Sequence, residues 1–362
     1  MRFPHPGLLA IWLVAGALAT PATGAAQNAH DPVFQRLAPE TLDVVPPSAR
    51  VRGEPGAMTV VARECRSFPP ELIRQRVVDV AVQEWAFFGY PVLDRVNGAR
   101  LLPPGATANG EAPSFEAHNR RAPLLNPQES HRVASSIAGY WAVTPEGAGI
   151  VRTQNGRWNG NGVDARWNAP WSAAFISWVM CEAGLGTNDR FHRAIAHWRY
   201  FDQAIRARDG QAPASGFVAY DLGEQIVEPG DMLCFSRRPV YRNLAERRRQ
   251  TGTGARSHCD VVVGVDEDQG RILAIGGNVL RSVALKVLQG TPAPGGGLHA
   301  QAIPSAPLFA HLKLQGDPVD PDALLQSPVL AGAGCFNPPL APDRAAFVLA
   351  ELGVSTGPSS AC

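Results

Sequence analysis

In the first half of the chain, apolar residues recur at the three- and four-residue spacing that is typical of helices. The spacing predicts helices over residues 69–90, 129–143 and 189–208, the first of them opened by Pro69 and Pro70. Pro170 opens a further helix, which Gly184 ends. This last helix is apolar on almost every side, so we expect it to lie at the centre of the domain.

Beyond Gly230 the apolar residues alternate with a period typical of strands. Short segments predict successive strands with the sequences DMLCF, CDVVVGV, RILAIGGN, VALKVLQ and LFAHLKL. A turn over residues 266–270 connects two of them, which indicates an antiparallel meander. Helices followed by a run of strands predict an α+β fold.

Two segments between these elements are predicted to lack regular structure. Residues 154–168 are rich in Gly and Asn and are expected to form a loop. They carry Trp158 and Trp167, which either form a binding rim or close the core, and the sequence favours neither interpretation. Residues 237–256 are rich in Arg and are expected to form a solvated surface loop, with contact to an anionic polymer as the alternative.

The N-terminal residues 1–26 are typical of an export signal. Arg2 precedes the apolar run LLAIWLVAGALA, which is too short for a bilayer span of roughly 20 residues, and small residues follow it. We therefore expect an exported protein, periplasmic or secreted, without a membrane span. Residues 27–68 are predicted to be an extended Pro/Ala-rich lead-in and 69–315 the α+β domain. Residues 316–362 are predicted to be a Pro/Ala/Gly-rich tail with one short helix near 343–352.

Composition narrows the class of protein. The chain of 362 residues has 33 Lys and Arg against 32 Asp and Glu, whereas a nucleic-acid binder shows a basic excess or stripe. No nucleic-acid partner is therefore expected. With 45% hydrophobic and 18% charged residues, the chain is too rich in core-forming residues to be disordered.

The 6 cysteines allow up to three disulfides in an oxidising compartment, although free buried thiols remain the alternative. Cys234 and Cys259 lie on neighbouring predicted strands, and a cross-strand disulfide between them is one hypothesis. The cysteines have no metal-binding spacing, and His192 and His197 are five residues apart and do not share a helix face. No metal or other cofactor is expected.

Three residues at the ends of predicted elements form a candidate catalytic set. Ser172 lies at the start of the buried helix, where unpaired backbone N–H groups and the helix dipole stabilise negative charge. His258 opens a strand and is placed to act as a general base, and Asn278 ends the next strand and is placed to orient the imidazole. Asp260 shares the face of His258 and is expected to form a structural hydrogen bond or to contact substrate.

The order of the motifs adds a resemblance. PWSAAFISW at 170–178, PGD at 229–231, SH at 257–258 and IGGN at 275–278 resemble the CHAP-type (cysteine, histidine-dependent amidohydrolase/peptidase) branch of the papain-like cell-wall hydrolases, over residues 165–290. The whole arrangement is more similar to the bacterial family called domain of unknown function 2272. The features that carry this similarity are the Trp85 helix, Tyr140-Trp141, Ala196-His197 and His258-Cys259-Asp260.

The resemblance implies a papain-like core, in which a central helix with the nucleophile packs on an antiparallel β-sheet or half-barrel, preceded by a helical extension. It also implies cleavage of amide bonds in cell-wall peptide. Ser172 occupies the position of the catalytic cysteine in CHAP-type enzymes, and a hydroxyl, unlike a thiol, needs a general base during attack.

Two functions therefore remain open. The chain is either an amide hydrolase that uses Ser172, His258 and Asn278, or a non-catalytic binding module of the cell envelope. The expected partner is peptidoglycan or an envelope protein. The residues expected to contact the substrate are Trp158, Trp167, Trp171 and Asp260.

Overall fold

The computed structural model describes residue 1 and residues 36–96, 100–102, 131–163, 167–303 and 307–331. The predicted export signal and the predicted helix near 343–352 lie outside these residues. The described part of the chain contains no helix that is long and apolar enough to cross a membrane.

Helices dominate the N-terminal half. Between the first two helices lie a short 3-10 helix at Pro47–Arg50 and the strands β1 (Val51–Arg52) and β2 (Thr59–Val60). The helices are α1 (Pro39–Leu42), α2 (Pro70–Phe87), α3 (Ala134–Ala142), α4 (Gly147–Asn161), α5 (Ser172–Glu182), α6 (Trp198–Arg208), α7 (Leu244–Arg248), α8 (Ala323–Gln326) and α9 (Pro328–Ala331).

The C-terminal half contributes most of a large sheet. Its strands are β3 (Val92–Asp94), β4 (Arg100–Leu102), β5 (Phe217–Tyr220), β6 (Met232–Arg238), β7 (Arg256–Asp266), β8 (Arg271–Val279), β9 (Ser282–Pro292), β10 (Leu298–Ala300) and β11 (Leu308–Leu314). They are ordered β4-β3-β9-β8-β7-β6-β11-β5, and β10 pairs with β9. The predicted strands are all present, and β6 to β9 form the predicted antiparallel meander. The fold thus combines several helices with a multistranded, mixed sheet, because β3 runs parallel to β9.

Helix α5 lies at the centre of the fold, as its apolar sequence predicts. Every residue from Ala173 to Glu182 is buried, and the helix packs against α2, α3, β7 and β8. Gly277 on β8 permits this close approach, because a Cβ atom there would lie 2.5 Å from the Cβ of Phe175 on the helix.

Two predictions of local structure are wrong. The Gly/Asn-rich segment is helical as far as Asn161, since α4 buries Val151, Gln154 and Trp158. The helix predicted from residue 189 begins only at Trp198. The preceding segment is instead tied to α5, because the Ser177 hydroxyl bonds the backbone O and N–H of Ala194 at 3.1 and 3.0 Å.

The Arg-rich segment 237–256 is not simply a solvated loop. It contains α7, and Arg247 on this helix is fully buried. Its guanidinium donates two hydrogen bonds of 2.7 Å to the carboxylate of Asp202 on α6. Such a two-pronged pair satisfies both charges and fixes the orientation of the two helices.

The Asp231 carboxylate of the PGD motif has a structural role. Its oxygens accept hydrogen bonds from Arg74 of α2 at 2.8 Å and from His311 of β11 at 2.8 Å. Burial alone would raise the pKa of Asp231, but His311, Arg74 and Lys313 lower it to about 2. Asp231 therefore stays ionised and links α2 to the sheet.

Two disulfides link elements that are distant in sequence. Cys234 and Cys259 are joined across β6 and β7, as hypothesised, with an S–S distance of 2.06 Å. Cys65 and Cys181 form the second bridge, which connects the segment before α2 to the end of α5. None of these four cysteines is free to act as a nucleophile.

We expect peptide mapping under non-reducing conditions to recover the Cys65–Cys181 and Cys234–Cys259 pairs as linked peptides. Mass spectrometry after alkylation of free thiols, with and without reduction, measures this. A Cys234→Ala/Cys259→Ala double variant is the matched control, since it should lose only its own linked peptide. Alkylation of any of the four cysteines in the unreduced protein would contradict the assignment.

Candidate active site

Ser172 is the first residue of α5 and lies at the only end of this helix that the core does not enclose. Its side chain is half-buried, whereas Ala173 onward is fully enclosed. The first N–H groups of a helix have no partner within the helix, and the dipole adds partial positive charge there. The hydroxyl thus combines partial accessibility with an electropositive backbone.

The histidine bonded to Ser172 is His197, which the sequence did not indicate as a catalytic residue. Its Nε2 lies 2.7 Å from Ser172 Oγ. No hydrogen bond joins Ser172 to His258, whose Nε2 is bonded to Asp260 instead. His197 precedes α6 and is 3% exposed, and the Ser177–Ala194 hydrogen bonds fix the segment that carries it.

The surroundings of His197 determine which of its nitrogens carries the proton. The backbone N–H of Cys259 donates to Nδ1 at 3.2 Å, and the Tyr200 hydroxyl also contacts Nδ1. A backbone N–H can only donate, so Nδ1 must be the unprotonated nitrogen. The neutral ring then carries its proton on Nε2, and this N–H donates a hydrogen bond to Ser172 Oγ.

His258 lies beside this pair and is held by a buried carboxylate. Its ring centroid is 5.2 Å from that of His197. His258 Nε2 is 2.7 Å from Asp260 Oδ1, and Lys286 Nζ is 2.6 Å from Asp260 Oδ2. An ionised carboxylate only accepts, so His258 donates from Nε2 and Nδ1 remains the basic nitrogen.

Asp260, and not Asn278, is therefore the residue that orients His258. Asn278 has a φ of 55°, which asparagine tolerates, and its side chain makes no hydrogen bond to another described residue. Asp260 was also expected to contact substrate, but it is 0% exposed and both of its oxygens are already bonded. This leaves it no atom to offer to a ligand.

Gly276, two residues before Asn278, leaves space for the carboxylate of Asp260. A Cβ atom at Gly276 would lie 1.8 Å from Asp260 Oδ1 and 3.0 Å from His258 Nε2. The IGGN sequence thus has two different steric roles: Gly276 accommodates the Asp260–His258 pair, and Gly277 accommodates α5.

Burial decides the protonation states at this site. It lowers the pKa of His197 well below 6.5, and His258 lowers it further. Burial also lowers the pKa of His258, although Asp260 opposes this shift. Burial alone would raise the pKa of Asp260, but His258 and Lys286 bring it well below its ordinary value. At neutral pH the site therefore contains two neutral imidazoles beside an ionised carboxylate.

The tryptophans expected to contact substrate lie mainly in the core. Trp158 is 4% exposed and packs edge-on against the half-buried Trp167, with ring centroids 5.1 Å apart. Trp171 is 2% exposed and stacks on Phe88 and Tyr140. The structure favours the interpretation that these indoles close the core, and burial keeps Trp158 and Trp171 from any surface ligand.

Comparison with known proteins places the site within a family segment. Residues 129–302 match the family described as "Uncharacterized protein conserved in bacteria (DUF2272)". The match supports the resemblance to domain of unknown function 2272, and it includes Ser172, His197, His258 and Asp260. No curated protein and no solved structure matches the chain.

We expect both imidazoles to be neutral at pH 7, with the proton on Nε2, and to be protonated only below pH 6.5 because burial disfavours the charged ring. Nitrogen-15 NMR of the histidine rings across an acid titration measures tautomer and pKa. His197→Gln and His258→Gln variants assign the two signals. A proton on Nδ1 of His197, or a pKa above 6.5 for either ring, would contradict the arrangement.

Proposed function

We propose that the chain is an exported amide hydrolase with a papain-like active site, in which Ser172 is the nucleophile. The observation that carries the proposal is Ser172 Oγ at a helix N-terminus, 2.7 Å from His197 Nε2 and beside the His258–Asp260 pair. Cell-wall peptide is proposed as substrate because the ordered motifs resemble those of CHAP-type hydrolases.

In this mechanism His258 is the general base. His197 cannot accept a proton from Ser172, because its Nε2 already carries one and its Nδ1 is occupied by two neighbours. His258 Nδ1 is the unprotonated nitrogen of the neighbouring ring, and Asp260 holds that ring through Nε2. The Ser172 proton passes to His258 after a side-chain rotation or through one water, since catalytic contacts are commonly loose without substrate.

The bond changes follow acyl transfer. Ser172 Oγ attacks the amide carbonyl while its proton moves to His258, and the resulting imidazolium returns that proton to the departing amine. Water then attacks the ester on Ser172 and gives a proton to His258, which passes it to Ser172 Oγ as the ester bond breaks and the carboxylic acid leaves. Asp260 stabilises the imidazolium in both steps without accepting its proton, because its own pKa is far below that of the ring.

His197 is proposed to stabilise the partial negative charge that develops on the serine oxygen as it leaves in the second step. Its Nε2–H points at Oγ before the reaction starts, and the Tyr200 and Cys259 contacts fix the ring in this orientation. Donors that are already aligned stabilise developing charge without reorganisation. The unpaired N–H groups at the start of α5 are placed to receive the carbonyl oxygen.

One observation favours the alternative, a non-catalytic binding module of the cell envelope. Ser172 and His258 are not directly hydrogen-bonded, so the proposed proton transfer needs a rearrangement. A site that binds an amide through Ser172 and the helix N-terminus would need none.

Substitution of Ser172 separates the two functions. We expect Ser172→Ala to abolish the release of amino groups from purified peptidoglycan, because the nucleophile is lost. Ser172→Cys should retain some activity, since a thiol fits the same position and ionises more readily. Unchanged activity in Ser172→Ala would refute the role of Ser172, and activity found only in Ser172→Cys would establish a degenerate site.

Substitutions of the two histidines distinguish the general base, His258, from the hydrogen-bond donor, His197. We expect His258→Gln to lower the rate by about 10²- to 10⁴-fold, the usual contribution of a general base. His197→Gln should retain most activity, because its amide N–H can still reach Ser172 Oγ. His197→Leu removes this donor and should cost about 10²- to 10³-fold.

Rates on the same peptidoglycan substrate, with thermal unfolding as the check on folding, provide the measurement. Equal losses in His197→Gln and His197→Leu would show that His197 does not act as a hydrogen-bond donor. Full activity in His258→Gln would exclude His258 as the base.

A further inference from the structure

Two arginines lie near the candidate site, Arg95 directly after β3 and Arg237 on β6. Arg95 directly follows β3 and is half-buried, and its backbone N–H donates to the carbonyl of Val287 at 3.0 Å. Val287 is the residue after Lys286 on β9, so Arg95 lies beside the lysine that holds Asp260. Arg237 is exposed at an irregularity in the pairing of β6 with β7, near the point where His258 enters the sheet.

Neither guanidinium is directly paired with a carboxylate in the described part of the chain, although the charge of Asp260 acts on Arg95. No hydrogen bond or ion pair of either side chain joins it to a described residue. The carboxylate of Asp260 is the acidic group at this site, and His258 and Lys286 already occupy both of its oxygens. With both imidazoles neutral, the charges of Arg95, Arg237, Lys286 and Asp260 sum to two positive charges.

The electrostatic effects of the two arginines converge on the same groups. Burial lowers the pKa of Arg95, the carboxylate of Asp260 opposes this shift, and the charge of Arg237 adds to it. Arg237 also lowers the pKa of His197 and of His258, so its charge acts at the site itself. Two arginine side chains that form no direct ion pair thus act on the same site, where their positive charge would stabilise a bound anion.

We propose that Arg95 and Arg237 form a subsite for a carboxylate of the substrate. The inference rests on the proposed function, because it assigns the substrate class of that same site: amides that carry a free carboxylate close to the scissile bond. Arg is suited to this task, since its planar fork matches the two oxygens of a carboxylate.

The geometry favours a discrete anion over a polyanion. A nucleic acid or another extended polyanion is bound by a stripe of basic residues along its backbone, and the overall charge of the chain is only +1. Here the excess charge is concentrated on two side chains, one of them half-buried, beside the group formed by His258, Asp260 and Lys286. This arrangement matches a single acidic group on a small substrate.

Binding measured without turnover tests the subsite independently of catalysis. The Ser172→Ala protein is titrated with acetyl-Ala-Glu-Ala, which has free carboxylates, and with acetyl-Ala-Gln-Ala amide, which has none, by calorimetry or NMR at low salt. We expect the acidic peptide to bind about tenfold more tightly, since hydrogen bonds to charged groups exceed neutral ones. Added salt should reduce this preference.

Three further substitutions in the Ser172→Ala protein identify the residues that cause the preference for the acidic peptide. Arg95→Gln and Arg237→Gln should each remove most of it, whereas Arg238→Gln, on the same strand as Arg237 and also exposed, should leave it unchanged. Circular dichroism confirms folding of each variant. Equal affinity for both peptides, no binding of either peptide, or an equal loss in Arg238→Gln would overturn the proposal.

These outcomes are separate from those of the hydrolysis assay. Retained preference for the acidic peptide in a protein that never cleaves peptidoglycan would leave the subsite intact and refute only the catalytic role. Cleavage that depends on Ser172 together with equal affinity for the two peptides would refute only the subsite.

Discussion

The burial of α5 on all sides is the constraint on which the rest of the fold depends. A helix without a polar face must be enclosed, and α2, α3 and the strands β7 and β8 together enclose it. Only its N-terminus then remains accessible, so Ser172 is presented at the margin of the core with unpaired N–H groups around it. Gly277 contributes by its missing side chain, since any Cβ atom would separate the sheet from the helix. The position of the candidate nucleophile is therefore a consequence of core packing.

Local patterns predicted α2, α5 and the antiparallel meander because there the buried positions coincide with the period of the element. They failed where long-range contacts decide the structure. Helix α4 contains several Gly and Asn residues, yet it forms because Trp158 and Val151 are buried in the core. The segment before α6 has helical periodicity, but the hydroxyl of Ser177 bonds the backbone of Ala194 and holds it in another conformation. Neither tertiary contact has a signature in the local sequence.

The candidate site was predictable to a similar degree. Ser172, His258 and Asp260 were recognisable, because helix start and strand alternation place side chains reliably. His197 was missed because its partners come from two distant elements: Ser172 on α5 and the backbone of Cys259 on β7. The spacing to Tyr200 was the available signal, since both residues contact each other at the start of α6. Asn278 was preferred to Asp260 because it ends the strand after that of His258, but the carboxylate that bonds His258 is that of Asp260.

The electrostatics of the site agree with a hydroxyl at position 172. A cysteine enzyme uses a thiolate paired with an imidazolium, and this resting state requires a histidine that is readily protonated. Burial instead lowers the pKa of His258 and His197, so neutral rings are favoured. A neutral base matches a serine, whose proton leaves only as the new bond forms. The positive charge of Arg237 acts in the same direction, because it disfavours a resting imidazolium on His258. In the proposed carboxylate subsite the same arginine binds an anionic substrate, so it connects the protonation state of the proposed base to the charge of the proposed substrate.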